Sequence, residues 1–246
     1  MTVRVGVGGW TYEPWRGVFY PEGLPQKREL EYAAQHLTAI EINATFYGRQ
    51  KRESFIKWAE TVPDGFRFSL KAMQYATSRK VLADAGGTIA KFLGQGFTAL
   101  GDKLGPINWQ FPATKRFERD DFARFLDLIP DELDGRTLRH ALEPRHESFR
   151  DPAFYELARA RNMAVVVAES DEYACFDEDT ADFVYARLQC AIEEIETGYD
   201  DGGLDRWAKR TKAWAKSGRD VYVFFISGGK VRNPAAAQAL IARLRK

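Results

Sequence analysis

From one end to the other the chain alternates two kinds of pattern, and that alternation constrains its fold more than any other feature. Short runs rich in β-branched and aromatic residues occur at Val3–Gly8, Ala39–Asn43, Phe66–Lys71, Gly105–Gln110, Leu138–Glu143, Ala164–Ala168, Phe183–Leu188 and Val221–Phe225. Between them lie stretches with helical spacing of apolar residues: Arg28–Leu37, Arg52–Thr61, Thr88–Lys103, Asp120–Ile129, Pro152–Arg161, Leu204–Ser217 and Pro234–Arg245. Only the gap between the sixth and seventh strand runs lacks a helical pattern. Pro152 after Asp151 and Pro234 after Asn233 read as a cap followed by proline at the first helical position. Strand–helix repetition of this kind builds parallel sheets, because a parallel return needs a crossover. Eight strand runs in 246 residues fit an α/β fold of the (β/α)8 TIM-like barrel type, as a single domain over 1–246. A doubly wound sheet is the alternative, since strand order is not written in periodicity.

Period 2 splits each strand into a helix-facing and a barrel-facing row. Val3, Val5 and Val7 oppose Arg4, Gly6 and Gly8; Ile40 and Ile42 oppose Ala39, Glu41 and Asn43; Phe68 and Leu70 oppose Arg67, Ser69 and Lys71; Leu138, His140 and Leu142 oppose Arg139, Ala141 and Glu143. If the apolar row meets the helices, the barrel interior is polar. Interior charges are costly unless paired or wetted, so such an interior does more than pack.

Barrels place their chemistry at the C-terminal strand ends. Those ends read Gly8 with Trp10, Glu41 with Asn43, Lys71, Gln110, Glu143 with Arg145 and His146, Glu169, Arg187 and Ser227. This is either a site or an ion-pair ring that braces the barrel. Glu143 and Glu41 are candidate acid–base groups, and Glu169 is a further carboxylate that can pair with Glu143. Lys71 is either a carbonyl-reactive amine or a counter-charge. His146, beyond the strand, is the better catalytic imidazole; His140 faces the helices as a core histidine, and His36 sits late in a helix. The turn Ser227-Gly228-Gly229-Lys230-Val231-Arg232 opens a helix and is either an anion loop or a bend that needs positive φ. Trp10 and the aromatics around it either stack on a ligand or plug the loop.

Charge and composition exclude several classes. Lys plus Arg is 36 against 35 Asp plus Glu, so bulk charge does not point to nucleic acid, although a local basic patch does not depend on it. Cys175 and Cys190 are the only cysteines, too few for a four-Cys zinc site or a disulfide framework. No apolar run reaches membrane-spanning length, and Met1-Thr2-Val3-Arg4-Val5 enters a strand with no signal-peptide pattern. The expected setting is the cytoplasm.

The chain also resembles a known family. Gly9-Trp10-Thr11-Tyr12 with Trp15, Phe19-Tyr20-Pro21, Glu41-Ile42-Asn43-Ala44-Thr45-Phe46-Tyr47 and Trp58 with Pro63 open the match. Phe66-Arg67-Phe68 with Lys71, Gln110-Phe111-Pro112, Glu143-Pro144-Arg145-His146 with Ser148-Phe149, and Tyr185-Ala186-Arg187-Leu188 complete it. In that order they resemble the YecE-like family, domain of unknown function 72, over nearly the whole chain. The resemblance implies a TIM-barrel-like fold and brings no activity. Similarity of that fold to endonuclease IV and xylose isomerase suggests nucleic-acid or sugar handling by analogy only. The shared polar positions it implies are Glu41, Asn43, Lys71, Gln110, Glu143, Arg145, His146, Tyr185 and Arg187. Three departures stand out: Ile226-Ser227-Gly228-Gly229 replaces an Asn-Asn-Asp run, Thr77-Ser78 replaces Thr-His, and Gly8 replaces a serine.

The leading expectation is a small polar, anionic ligand in the barrel mouth, bound, and hydrolysed or isomerised. Lys71, Arg145 and Arg187 would bind its oxygens, with Asn43, Gln110, Tyr185 and Trp10 as further contacts. No cofactor is called for. A divalent ion on Glu143, His146, Glu169 and Glu41 is a variant. The alternatives are a nucleic-acid-binding protein and a non-catalytic ligand-binding module. Oligomeric state is not legible.

Overall fold

A computed structural model describes residues 2–245. Nine strands form one parallel sheet: β1 (Val3–Gly8), β2 (Ala39–Ile42), β3 (Arg67–Lys71), β4 (Leu104–Gln110), β5 (His140–Glu143), β6 (Ala164–Val165), β7 (Val167–Glu169), β8 (Phe183–Leu188) and β9 (Asp220–Phe225). Their spatial order is β6-β5-β4-β3-β2-β1-β9-β8-β7. The two ends of that order, β6 and β7, are halves of one run separated by Val166. β6 pairs with β5 and β7 with β8, so the sheet comes round on itself as a nearly closed barrel. The sixth expected strand is thus split, because its two halves serve different neighbours.

Among the described residues nine α-helices surround the strands: α1 (Glu29–His36), α2 (Ala44–Tyr47), α3 (Arg52–Thr61), α4 (Gln74–Thr77), α5 (Gly86–Leu93), α6 (Arg119–Asp127), α7 (Pro152–Ala160), α8 (Asp201–Lys216) and α9 (Asn233–Arg245). α2 and α4 are too short to leave a periodic signal. The expected Thr88–Lys103 helix breaks: α5 stops at Leu93, Gly96 turns with φ +77°, and a 3-10 segment follows over Phe97–Lys103. Asp151 caps α7 as expected, accepting from Ala153 N–H. Asn233 does not cap α9. It lies inside the helix, its side chain donating to Ser227 O at 3.2 Å. A small antiparallel hairpin, Glu132–Leu133 with Arg136–Thr137, turns through Asp134 and Gly135, both at positive φ, as an Asp-Gly turn prefers.

The period-2 reading of the strands holds. Val5, Val7, Ile40, Ile42, Phe68, Leu70, Trp109 and Leu142 join the large core shared with the helices. Ala39, Ala141, Ala164, Val166, Phe183, Tyr185, Tyr222, Phe224 and Ile226 form a separate cluster inside the barrel. Gly6 is required where β1 lies against the start of β2, since a Cβ there would lie 1.8 Å from Ala39 O. His140 is buried on the helix side, accepting from Trp109 Nε1 at 3.1 Å and bonded to Pro130 O at 2.9 Å. Among the described residues no helix is long and apolar enough to cross a membrane.

Candidate functional site

The inward row of the sheet carries its polar groups toward the C-terminal end. Parallel register sets Gly8 beside Glu41, Glu41 beside Ser69, Lys71 beside Asn108, and Gln110 beside Glu143. Into this ring β8 sends Arg187, which is 3% exposed. Its Nη1 donates to both oxygens of Glu143 at 2.6 Å, and its Nε and Nη2 donate to the two oxygens of Glu41 at 3.1 and 3.0 Å. One guanidinium thus joins the carboxylates of β2 and β5 across the lumen.

Each carboxylate has further donors. Glu143 accepts from Asn108 Nδ2 and Gln110 Nε2, both at 2.9 Å, and from Arg145 Nε and Nη2 at 3.2 and 3.1 Å. Glu41 accepts from the Tyr185 hydroxyl at 2.7 Å, and that hydroxyl lies 2.6 Å from Ser69 Oγ. Burial opposes ionisation of Glu143, but Arg187, then Arg145 and Lys71, overcome it and hold the carboxyl at about 2. The Tyr185 hydroxyl is pushed well up by burial and by Glu41.

Lys71 is different. It is 6% exposed, its Nζ donates to Gln110 Oε1 at 3.0 Å, and it lies 3.8 Å above the Phe46 ring. No carboxylate oxygen lies within ion-pair distance of it among the described residues. Burial, followed by the Arg187 charge, brings its pKa down to about 8. The cluster therefore sets three cations, Lys71, Arg145 and Arg187, against two carboxylates. Asn108 Oδ1 is buried beside them with no partner.

Of the expected site residues, the structure gathers Glu41, Lys71, Gln110, Glu143, Arg145, Tyr185 and Arg187. Ser69 and Asn108 join them: Ser69 lies on the inward row that alternation gives but is not among the expected site residues, and Asn108, two residues before Gln110, could have been found by the same alternation. Asn43 lies at the rim against the backbone of Gly8, where a Cβ would meet its Nδ2 at 2.8 Å and Ile226 Cγ2 at 2.5 Å. Two of the three departures from the family pattern, Gly8 and Ile226, therefore meet in space: Ile226 fills the volume that a larger residue 8 would occupy.

Other candidates are engaged elsewhere. Glu169 accepts from the Tyr199 hydroxyl and from Trp207 Nε1 at 3.0 Å. His146 Nδ1 accepts from Ser148 N–H at 3.0 Å and caps the turn Glu147–Phe149. Trp10 packs edge-on against Trp58 at 5.2 Å. In the Ser227–Arg232 turn, Ser227 and Gly228 have positive φ, Gly229 N–H donates to Ala191 O, and Arg232 Nε donates to Glu193 O at 2.8 Å. Lys230 lies 4.1 Å over the Tyr12 ring. Gly229 and Arg232 thus bond to the 189–193 loop, while Lys230 O accepts from Trp15 Nε1 at 2.9 Å and Ser227 O accepts from Asn233. Among the described residues no three His, Cys, Asp or Glu side chains converge as a metal donor set, so Glu41, Glu143, His146 and Glu169 are not brought together as one. Cys175 and Cys190 are both free.

Comparison with known proteins agrees with this architecture. The family model described as "Protein of unknown function DUF72" matches residues 4–246. UPF0759 protein YunF of Bacillus subtilis (strain 168) is 24% identical over 187 residues, covering 72% of this chain and 61% of that protein. The chain thus spans about three fifths of that relative's length. A DUF72 family protein from Thermotoga maritima superposes with a TM-score of 0.80 at 24% identity over all of both chains. One from Enterococcus faecalis V583 does so with a TM-score of 0.75 at 15% identity, over 100% of this chain and 98% of that one. The chain belongs to the DUF72 family and has its barrel fold.

Proposed function

We propose that this DUF72 protein binds a small anionic, polar ligand at the C-terminal mouth of its barrel, with Lys71 as the anchoring cation. The observation that carries this reading is the buried Lys71 ammonium without a carboxylate partner, in a cluster holding one cation more than its carboxylates. A buried charge left unbalanced is costly, and an anionic ligand relieves that cost. Lys71 Nζ has donors beyond the one given to Gln110, and Arg145, partly exposed above Glu143, supplies a planar fork for carboxylate or phosphate oxygens.

The carboxylates take a supporting part in this reading. Glu143 bears donors on both oxygens and is held at about 2, so it positions Arg187, Arg145, Asn108 and Gln110 rather than trading protons near neutral pH. Proton transfer to or from a bound ligand, in a hydrolysis or an isomerisation, falls to Lys71, whose pKa of about 8 suits it. The reading puts this work in the cytoplasm, in keeping with two unpaired thiols.

The test is calorimetric titration with inorganic phosphate, small carboxylic acids and sugar phosphates against wild type and Lys71→Met. Binding is expected in wild type, weakening as pH rises through 8, and lost in Lys71→Met. Equal binding by the folded variant would overturn the proposal.

A further inference from the structure

A second feature lies on the rim beside β2 and β3, outside the carboxylate network. The two short helices there each present an exposed tyrosine: Tyr47 on α2 is 71% exposed and Tyr75 on α4 is 60% exposed. Both helices are pinned by buried threonines. Thr45 Oγ1 donates to Lys71 O at 2.7 Å, and Thr77 Oγ1 donates to Gln110 O at 2.6 Å. The rings therefore stand on short helices tied to the strand ends and not on loose loops.

Charge is segregated around them. In residues 46–53 and 73–91 the cations are Arg49, Lys51, Arg52, Arg79, Lys80 and Lys91, while the acids are Glu53 and Asp84. That is six against two in a chain whose totals are 36 and 35. None of the six takes part in an ion pair among the described residues, and all six are exposed. A cavity of about 430 Å³ beside Tyr75 is lined by Met73, Tyr75, Ser78, Arg79, Thr88 and Lys91, with no carboxylate. Arg79 Nη2 donates to Thr88 Oγ1 at 3.0 Å, which fixes the guanidinium in that cavity.

We propose that this rim binds single-stranded nucleic acid, with Tyr47 and Tyr75 stacking on bases and Arg49, Lys51, Arg79 and Lys91 meeting the phosphates. Exposed aromatic faces interleaved with unpaired cations are what an unpaired strand requires: its bases are free to stack and its backbone carries the charge. A duplex hides its base faces and would use only the cations. The near-neutral total charge is no obstacle, because attraction over a Debye length depends on the local balance.

The test is fluorescence anisotropy of a labelled oligothymidylate with the full chain, over a salt series. Four phosphate contacts predict a slope of log affinity on log salt near about −3, at about −0.7 per phosphate for single strands. Arg79→Glu with Lys91→Glu is expected to weaken binding at least tenfold and to flatten the slope by about half. Tyr75→Ala is expected to weaken it about fivefold or more while leaving the slope unchanged. The same sequence as a duplex binds more weakly. All these positions are on the surface, and unchanged melting temperatures confirm that the variants are folded. No binding at low salt overturns the proposal. So does binding that Tyr75→Ala and Tyr47→Ala leave intact and that heparin displaces as well as the oligonucleotide, because that describes a general polyanion surface.

Discussion

Glu143→Gln separates a bracing carboxylate from a proton-transferring one. The substitution keeps the side-chain volume and removes the charge. It also places an NH2 group where an acceptor stood. Glu143 Oε2 receives Asn108 and Arg187, and Oε1 receives Gln110, Arg145 and Arg187, so either orientation of the amide points donor at donor. Removing one partner of a buried ion pair costs about 3–5 kcal/mol. For a chain of 246 residues that lowers the melting temperature by about 6–20 °C, at about 2–4 °C per kcal/mol. The pH dependence gives an independent measure. With its pKa lowered from 4.5 to about 2, Glu143 contributes stability that is present above pH 4.5 and lost as pH falls toward 2. At about 1.4 kcal/mol per pH unit this is about 3 kcal/mol, in the range of the first figure. Urea denaturation at pH 7 and at steps down to pH 3 measures both. Wild type should lose stability through that acid window, and the variant should start lower and lose less. A variant within 1 kcal/mol of wild type at pH 7, with the same acid slope, would refute the brace. A residue serving chemistry alone would give that result, with stability kept and turnover lost.

Three further outcomes follow from the same reasoning. Burial lowers the His140 pKa from 6.5 to about 4, so the folded state stays neutral while the unfolded chain takes up a proton. About 3 kcal/mol should be lost as pH falls from 6.5 toward 4, and in His140→Gln, which keeps an acceptor for Trp109 and a donor for Pro130, that slope should vanish in denaturation curves. Lys71 has a pKa lowered from 10.5 to about 8; the stability of wild type relative to Lys71→Met should therefore rise between pH 8 and 10.5, and a difference that stays constant with pH would assign the lowered pKa no part in folding. Gly228→Ala places a Cβ 2.6 and 2.7 Å from the carbonyl oxygens of Gln189 and Ala191 at a φ of +54°; a loss of about 2 kcal/mol or more in thermal melts is expected, and an unchanged melt would show that the 189–193 loop yields.

The alternation of patterns was enough to place the strands and the longer helices, because each strand is buried on both faces and each longer helix on one, but it left the strand order, and so the choice between a barrel and a doubly wound sheet, open. What it could not show was decided by contacts distant in sequence. The split at Val166 depends on β6 and β7 pairing with opposite neighbours. The four-residue α2 and α4 are held by Thr45 and Thr77 bonding to other strands. The end of α5 is marked in the sequence by Gly94 and Gly96, and the hairpin by Asp134-Gly135. At the site, strand parity identified which side chains face inward. It could not say that Arg187 reaches Glu41 and Glu143 together, nor that Glu169 and His146 turn to local partners.

That distinction decides which residue bears a functional argument. Arg187, Glu41 and Glu143 come from three well-separated staves of the barrel, and their bonds cross the lumen where an apolar layer would otherwise sit. Asn108, Gln110, Tyr185 and Ser69 then satisfy the remaining lone pairs. Such a brace is nearly self-sufficient: apart from Asn108 Oδ1 its buried groups are paired, and its presence follows from the need to close a polar interior. Arg145 fits it as a lid on Glu143. Lys71 does not. It gives one hydrogen bond to a neutral amide, it has no carboxylate within ion-pair distance among the described residues, and its charge makes the cluster net positive. An apolar residue at its place would fill the space beside Phe46 without the desolvation cost. The carboxylates are explained by the fold, the ammonium is not, and the search for a ligand therefore starts at Lys71.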